Sequence, residues 1–326
     1  MSNKIVIVIA GFGAVGSFLY FLLRNYNPIV YTRRGSISPY EVSFLHRNKN
    51  IITFPIENIN LLQNNVKKID YLFLCSKSYD TKLYLENILR GFEVNNLVLT
   101  QNGLFIEDEV IPIFKGKIYY LTLTTGMEFK DNKLLIYNPT KSQAVLTIVS
   151  NNSTGTESSD FRLCWDERYC VLSYSYDHLS VRFSKLILNL VLNVVPACFG
   201  GLPWEIFPSN PEAIKIERDL IREIIDFMIR QNIKFFNFRS YRLDYISFFY
   251  RYCPFVIFKG IYSSPTILKF IRDNRVPSFY KDLILNKNIT EVDYYLGWYK
   301  KFEQYKMPTV KMVYQQIKKM EQSLKG

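Results

Sequence analysis

The residues best suited to chemistry lie in one apolar segment, between Phe183 and Pro196. Lys185, Asn189 and Asn193 recur there at every fourth position, and this spacing predicts a polar stripe along one face of a buried helix. A buried ammonium and two buried amides are costly unless each group has a partner. An internal hydrogen-bond network would supply partners, and so would a ligand. Three polar residues in register, one of them a lysine, favour the ligand.

A glycine-rich turn follows the first strand-like run of the chain, residues 4–9, and precedes a helical run. Its residues fit the pattern G-x-G-x-x-G: Gly11, Phe12, Gly13, Ala14, Val15 and Gly16. In this context the first glycine permits a tight turn, the second allows a pyrophosphate to approach the backbone, and the third allows close packing of helix on strand. The free N–H groups and dipole of the helix N-terminus favour the phosphates. The motif predicts a dinucleotide-binding domain.

Arg33 and Arg34 follow the next strand, where a domain that prefers NAD would carry an acidic residue for the ribose 2′-hydroxyl. Two guanidinium groups suit a 2′-phosphate, which they can hold by charge-assisted hydrogen bonds. We therefore expect NADPH as the cofactor. The alternative is that both arginines belong to a solvated loop.

Two more polar residues stand just after buried strands of the same domain. Lys77 follows the strand at 71–75, and Asn102 follows the strand at 96–100. Ligands of doubly wound sheets lie beyond the carboxyl ends of the strands, so both residues are expected near a nicotinamide or its ribose. The alternative for each is an ordinary turn residue, since Asn-Gly is a common turn pair.

The order of periodic segments predicts an α/β fold with two domains. Strand and helix signals alternate to about residue 120, short strand-like runs continue to about 177, and helical periodicity holds from about 179 onward. We expect a Rossmann-type dinucleotide-binding domain at 1–177 and an all-helical domain at 178–326.

Composition argues against several other classes. The five cysteines are scattered and show no C-x-x-C spacing, so no metal site is expected. The formal charge of +12 comes from dispersed basic residues without a recognition module, so no nucleic-acid partner is expected. No stretch is apolar over the roughly 18 residues that a membrane span needs. We expect a cytoplasmic protein without a membrane partner.

Taken together in their order and spacing, these motifs resemble the ketopantoate reductases, also called 2-dehydropantoate 2-reductases. The resemblance covers nearly the whole chain and rests on the N-terminal glycine turn, Lys77, the run 101–103, Lys185 with its two asparagines, and the run 290–297. It implies reduction of ketopantoate to pantoate, a step of pantothenate and coenzyme A biosynthesis, with NADPH. It also implies that Lys185 is the general acid and that Asn189 and Asn193 bind substrate.

The resemblance assigns three further residues. Asn102 would lie between nicotinamide and substrate, Glu291 beside the cofactor and the catalytic lysine, and Ser278 at the substrate carboxylate. Ser278 precedes Glu291 by 13 positions, one more than the family pattern. The aromatic segment 235–258 is also unusual, and it would suit the core, a dimer interface or the substrate site. A homodimer therefore stays open.

The chemistry expected of these residues is the reduction of a 2-oxo acid. Lys185 would donate a proton to the carbonyl oxygen; burial should lower its pKa, and the charge of Glu291 should raise it. A second hypothesis is a reductase of the same family that acts on another 2-oxo acid or a larger ketone. A third is a non-catalytic dinucleotide sensor or interaction protein, which would need only the first domain.

Overall fold

The computed structural model describes residues 5–32, 40–44, 52–54, 67–137, 142–149, 161, 163–272 and 275–324. The chain divides into two compact units. The first unit comprises residues 1–101 and 105–181, and the second comprises 102–104 and 182–326. The short loop 102–104, which contains Asn102, thus belongs to the second unit although it follows a strand of the first.

Strands dominate the described part of the first unit. In chain order they are β1 (Ile7–Ala10), β2 (Ile29–Tyr31), β3 (Tyr40–Phe44), β4 (Ile52–Phe54), β5 (Lys68–Leu74), β6 (Glu93–Leu99), β7 (Lys117–Leu123), β8 (Gly126–Lys130), β9 (Lys133–Tyr137), β10 (Gln143–Val149) and β11 (Val171–Ser175). Among the described residues they form a seven-stranded sheet in the order β11-β10-β7-β6-β5-β1-β2 and a four-stranded sheet in the order β4-β3-β9-β8.

The larger sheet is mostly parallel and has the strand-turn-helix start of a Rossmann-type domain. β1 pairs in parallel with both β2 and β5, and β7 pairs antiparallel with β10. Every residue of β1 is buried, as expected for a strand of a parallel sheet that is covered on both faces. The expected α/β fold is therefore confirmed.

The second sheet packs on the first helix of the chain. The first unit contains α1 (Ala14–Leu22), α2 (Thr81–Leu89) and α3 (Glu107–Val110). One apolar cluster joins Phe18 and Phe21 of α1 to Tyr40 and Val42 of β3 and to Leu134 of β9. The sequence pattern did not reveal this second sheet, because its strands come from distant parts of the chain.

The second unit is helical in its described part, apart from an isolated β-bridge between Phe238 and Tyr241. Its helices are α4 (His178–Leu190), α5 (Val194–Cys198), α6 (Pro203–Ser209), α7 (Pro211–Arg230), α8 (Leu243–Tyr252), α9 (Phe255–Tyr262), α10 (Pro265–Ile271), α11 (Ser278–Tyr280), α12 (Val292–Tyr295) and α13 (Pro308–Ser323). The unit boundary falls inside α4, after Val181. No helix among the residues described is long and apolar enough to cross a membrane.

The predicted helix from Phe183 to Pro196 is wrong in one respect, because the structure interrupts it. α4 ends at Leu190, Leu192 has a left-handed backbone with φ +55°, and α5 begins at Val194. Proline explains the break: Pro196 has no N–H, and in a continuous helix its ring would crowd the carbonyl of Leu192 four residues earlier.

The aromatic segment 235–258 has both core and surface positions. Phe238, Tyr250 and Phe258 are buried, and the rings of Tyr250 and Phe258 lie 5.3 Å apart. Tyr245 and Phe248 are each 65% exposed. The segment thus contributes in part to the core of the second unit and in part to its surface.

Candidate functional site

The glycine turn of the first unit has the backbone that its sequence requires. Gly11 adopts φ +97°, and its N–H donates to the carbonyl of Tyr31 at 2.8 Å. A Cβ at Gly11 would lie 2.7 Å from the backbone nitrogen of Ser76. A Cβ at Gly16 would lie 2.0 Å from the carbonyl oxygen of Gly11, so the turn and α1 pack too closely for any side chain there.

Gly13 is different, because nothing lies within 4 Å of a Cβ built on it and the residue is exposed. It immediately precedes α1, whose first turn contains no acidic residue. The neighbouring Phe12 packs edge-on against Tyr40 with ring centroids 5.5 Å apart, while Ala14 and Val15 are partly buried. An open backbone at a helix N-terminus fits the phosphates of a dinucleotide.

The other cofactor residues expected in the first unit are less informative. Lys77 is exposed and stands three residues after the end of β5, before a 3-10 turn at Ser78–Asp80. This position lies beyond the carboxyl end of a parallel strand, where the sequence placed it. Arg33 and Arg34 lie outside the described residues.

The loop 102–104 is held inside the second unit. Asn189 Nδ2 of α4 donates to Asn102 Oδ1 at 3.0 Å. The Leu104 N–H donates to the carbonyl of Tyr294 at 2.8 Å, and the Arg182 guanidinium donates to the carbonyl of Gly103. Gly103 has φ +97°, and a Cβ there would lie 2.6 Å from the Tyr294 side chain, so the tight loop depends on this glycine.

Asn193 connects α4 to the segment that contains Ser278. Its Nδ2 donates to the Asn189 carbonyl at 2.8 Å and to Ser278 Oγ at 3.2 Å, and its Oδ1 accepts from the Phe279 N–H at 3.1 Å. Asn102, Asn189, Asn193 and Ser278 therefore form one hydrogen-bonded line within the second unit. The asparagines thus have partners within the protein, as expected if the polar stripe forms an internal hydrogen-bond network. Ser278 is exposed at the end of the line.

Lys185 lies one helical turn before Asn189. Its side chain is partly exposed, but its ammonium group lies in a desolvated environment, and burial is the main reason that its pKa falls to about 7. The positive charges of three guanidinium groups contribute to the same shift: Arg275, Arg182 and Arg272. The sequence left open whether burial or an acidic neighbour would prevail, and the net shift is downward.

Glu291 directly precedes α12, on a segment that a buried carboxylate fixes. Glu321 Oε1 of α13 accepts hydrogen bonds from the Thr290 N–H at 2.6 Å and from Thr290 Oγ1 at 2.7 Å. After the effect of burial, the negative charge of Glu291 is the next contribution that raises the pKa of Tyr295, and the charge of Arg182 lowers it. The charges of Glu291 and Arg182 therefore both act on the Tyr295 hydroxyl.

Sequence reasoning missed several residues around this site. Arg182 precedes Lys185 by one helical turn, and that spacing on one helix was a readable signal. Arg272 and Arg275 lie in a loop region before Ser278 and carried no periodic signal. Glu321 showed only as an acidic residue near the apolar stripe of the last helix.

Two family profiles match the chain almost end to end. The profile described as "Ketopantoate reductase PanE/ApbA" matches residues 7–146, and that described as "Ketopantoate reductase PanE/ApbA C terminal" matches residues 177–321. The chain belongs to the ketopantoate reductase family. This family comprises nicotinamide-dependent oxidoreductases, so an oxidoreductase with a nicotinamide cofactor is the class that membership supports.

Solved structures of several family members and relatives share the fold. A ketopantoate reductase of Ralstonia eutropha JMP134 has a TM-score of 0.74 at 14% identity, with 99% of this chain and 100% of that chain covered. A dimeric ketopantoate reductase of Staphylococcus aureus has a TM-score of 0.70 at 16% identity, with 98% of this chain and 100% of that chain covered. The structure of D-mandelate dehydrogenase with NADH and anilino(oxo)acetate has a TM-score of 0.71 at 16% identity, with 99% of this chain and 100% of that chain covered. No curated protein matches the sequence.

Proposed function

We propose that the chain is an NADPH-dependent reductase of 2-oxo acids, with ketopantoate as the first candidate substrate and pantoate as the product. The observation that carries this proposal is the arrangement in the second unit. A lysine with a pKa near 7 lies one turn from a hydrogen-bonded line of amides that ends at an exposed serine hydroxyl. A proton donor and a set of neutral hydrogen-bonding groups are what a 2-oxo acid requires.

In the proposed reaction Lys185 donates its proton to the carbonyl oxygen of the substrate as negative charge develops there. A pKa near 7 allows the lysine both to hold a proton at neutral pH and to release it readily. The bound cofactor supplies the hydride. Glu291, which directly precedes α12, would lie beside the cofactor and the catalytic lysine.

Substrate binding is assigned to the residues of the hydrogen-bonded line. Asn102 and Asn189 would orient the substrate by their amide groups, and Asn193 would act with Ser278. The Ser278 hydroxyl would donate to the substrate carboxylate. Pantothenate biosynthesis is the pathway that follows if ketopantoate is the substrate.

A different 2-oxo acid is the second candidate. Three guanidinium groups act on Lys185, and their positive charges would favour a substrate with more than one anionic group. Oxidation of NADPH, followed by absorbance with a panel of mono- and dicarboxylic 2-oxo acids, tests both candidates. Turnover of ketopantoate above all others supports the first candidate, and no turnover of any 2-oxo acid contradicts the proposed function.

For the cofactor we propose a preference for NADPH over NADH through Arg33 and Arg34. Replacing both with alanine should weaken NADPH binding by about 2–4 kcal/mol, since charge-assisted hydrogen bonds are lost, and should leave NADH binding nearly unchanged. Calorimetric titration of the two cofactors measures the difference. Equal losses for both would overturn the assignment.

A further inference from the structure

Glu217 is an acidic residue buried in the apolar core of the second unit. It lies on the face of α7 that also carries Ile214, Leu220 and Ile221, all of them buried. Its own side chain is 0% exposed. A carboxyl group in such a place is costly unless it makes a specific interaction. No expected site residue lies on α7, so the catalytic residues do not explain it.

The interaction that Glu217 makes is with the break between α4 and α5. Glu217 Oε1 accepts a hydrogen bond from the Leu192 N–H at 2.7 Å. Leu192 has φ +55°, a left-handed backbone that is unfavourable for a residue with a Cβ. In a continuous helix this N–H would bond to the carbonyl of Leu188. Glu217 supplies the acceptor instead.

The Leu192 turn determines where the next residue points. Asn193 follows it with φ −128° and ψ −56°, outside the helical range. From this backbone its side chain reaches Ser278 Oγ at 3.2 Å and the Phe279 N–H at 3.1 Å. If the helix continued through Leu192, Asn193 would take a helical backbone and these contacts would be lost.

The surroundings of Glu217 favour a neutral carboxyl group. Burial raises its pKa to about 8, while the Leu192 N–H and the charge of Arg272 act in the opposite direction. Glu217 in turn contributes to the raised pKa values of Cys198, Tyr250 and Tyr262, so these groups also face it. Glutamine is close in shape to a protonated glutamate and keeps the acceptor oxygen.

We propose that Glu217 is a positioning residue for substrate binding, which holds the Leu192 turn and thereby places Asn193 against Ser278. The inference rests on the proposed function, in which Asn193 and Ser278 bind the 2-oxo acid. It adds a residue outside the site whose effect should appear in substrate affinity.

The test compares Glu217→Met, which removes the acceptor, with Glu217→Gln, which keeps it. Glu217→Met should raise KM for the 2-oxo acid by about tenfold, the equivalent of one lost hydrogen bond, with a smaller change in kcat. Glu217→Gln should stay within about threefold of the wild type, because its amide oxygen still accepts from Leu192. The dissociation constant for NADPH should be unchanged in both variants.

Glu223 provides a matched control on the same helix. It accepts hydrogen bonds from the Thr309 and Val310 N–H groups at 2.9 Å each, so it also holds a backbone segment, but at the start of α13. Glu223→Met should lower the melting temperature without raising KM. An increase in KM equal to that of Glu217→Met would show general destabilisation and overturn the proposal. A wild-type KM in Glu217→Met would also overturn the proposal. The same would follow if Glu217→Gln raised KM as much as Glu217→Met does.

A second measurement does not depend on activity. Hydrogen exchange of the peptide at 186–199 should be faster in Glu217→Met and unchanged in Glu217→Gln, because only the first frees the Leu192 N–H. If the wild type reduces no 2-oxo acid, the proposed function fails while this measurement still tests the Leu192 turn. Should Glu217→Met fail to fold, Glu217→Asp replaces it, since its shorter side chain withdraws the acceptor. Unchanged exchange in the acceptor-deficient variant would contradict the proposal.

Discussion

At the scale of single residues, Lys185 is a candidate site residue whose acidity the surroundings change strongly. Burial and three neighbouring arginines lower its pKa to about 7. Desolvation disfavours the charged form, and like charges do the same, so both effects make the lysine a stronger acid. The sequence anticipated burial of this lysine. It could not anticipate Arg272 and Arg275, which reach the lysine only through the folding of a separate segment.

The pH dependence of the reaction follows from this shift. A general acid must be protonated, so kcat/KM for the 2-oxo acid should be constant at low pH and fall as the pH rises above about 7. An unperturbed lysine would place this fall near pH 10. The measurement is kcat/KM between pH 5.5 and about 10, with saturating NADPH. A profile that stays flat to about pH 9 would contradict the role of Lys185.

The same shift affects stability with a definite sign. The folded pKa of Lys185 is below the unfolded value, so the buried charge destabilises the folded state fully below about pH 7. This cost decreases as the pH rises from the folded toward the unfolded pKa. Lys185 therefore lowers the stability of the folded state at neutral and acidic pH.

At the scale of elements, the glycine turn is a feature that could be predicted from the sequence alone. A strand, G-x-G-x-x-G and a helix are local features, and the structure has them where the pattern placed them, with Gly11 at φ +97° and Gly16 against the Gly11 carbonyl. The polar stripe of α4 was also correct from Lys185 to Asn189. Its continuation to Asn193 was not, because the turn at Leu192 depends on Pro196 and on a contact with Glu217 in α7.

Gly13 allows binding to be separated from folding. Gly13→Ala should leave the melting temperature within a few degrees of the wild type, because nothing lies within 4 Å of the added Cβ. The same methyl group would meet the approaching pyrophosphate, so the dissociation constant for NADPH should rise by about tenfold or more. Calorimetric titration and thermal unfolding measure the two effects.

Gly91→Ala is the matched control for that substitution, since a Cβ at Gly91 also meets nothing within 4 Å and the residue lies after α2. It should change neither stability nor affinity for NADPH. If Gly13→Ala binds NADPH as well as the control does, the phosphates of the cofactor do not approach the turn at this residue.

At the scale of the whole molecule, the candidate site residues are distributed over both units. The glycine turn and Lys77 belong to the first unit, while Lys185, Asn102, Asn189, Asn193, Ser278 and Glu291 belong to the second. The α/β class and the helical second half could be predicted from periodicity, which is a local property. The second sheet could not be predicted, and neither could the packing of loop 102–104 in the second unit, because both depend on contacts between segments that are distant in sequence.

The surface of the second unit bears on assembly. Phe248, Val256 and Phe270 of α8, α9 and α10 are 65%, 81% and 83% exposed. Exposed apolar groups of this size are typical of interaction surfaces, and we expect the chain to form a homodimer through these helices. Light scattering coupled to gel filtration should give twice the mass of one chain. Val256→Glu with Phe270→Glu should give the monomer, and a monomeric wild type would contradict the expectation.

We propose Lys185 as the proton donor of a 2-oxo acid reductase. Steady-state kinetics of Lys185→Ala with the best 2-oxo acid, together with a titration of NADPH, test this role. The variant should fold, bind NADPH as the wild type does through the first unit, and lose on the order of a hundredfold or more in kcat, the effect typical of removing a general acid. A kcat near that of the wild type would contradict the account and place the proton donor elsewhere.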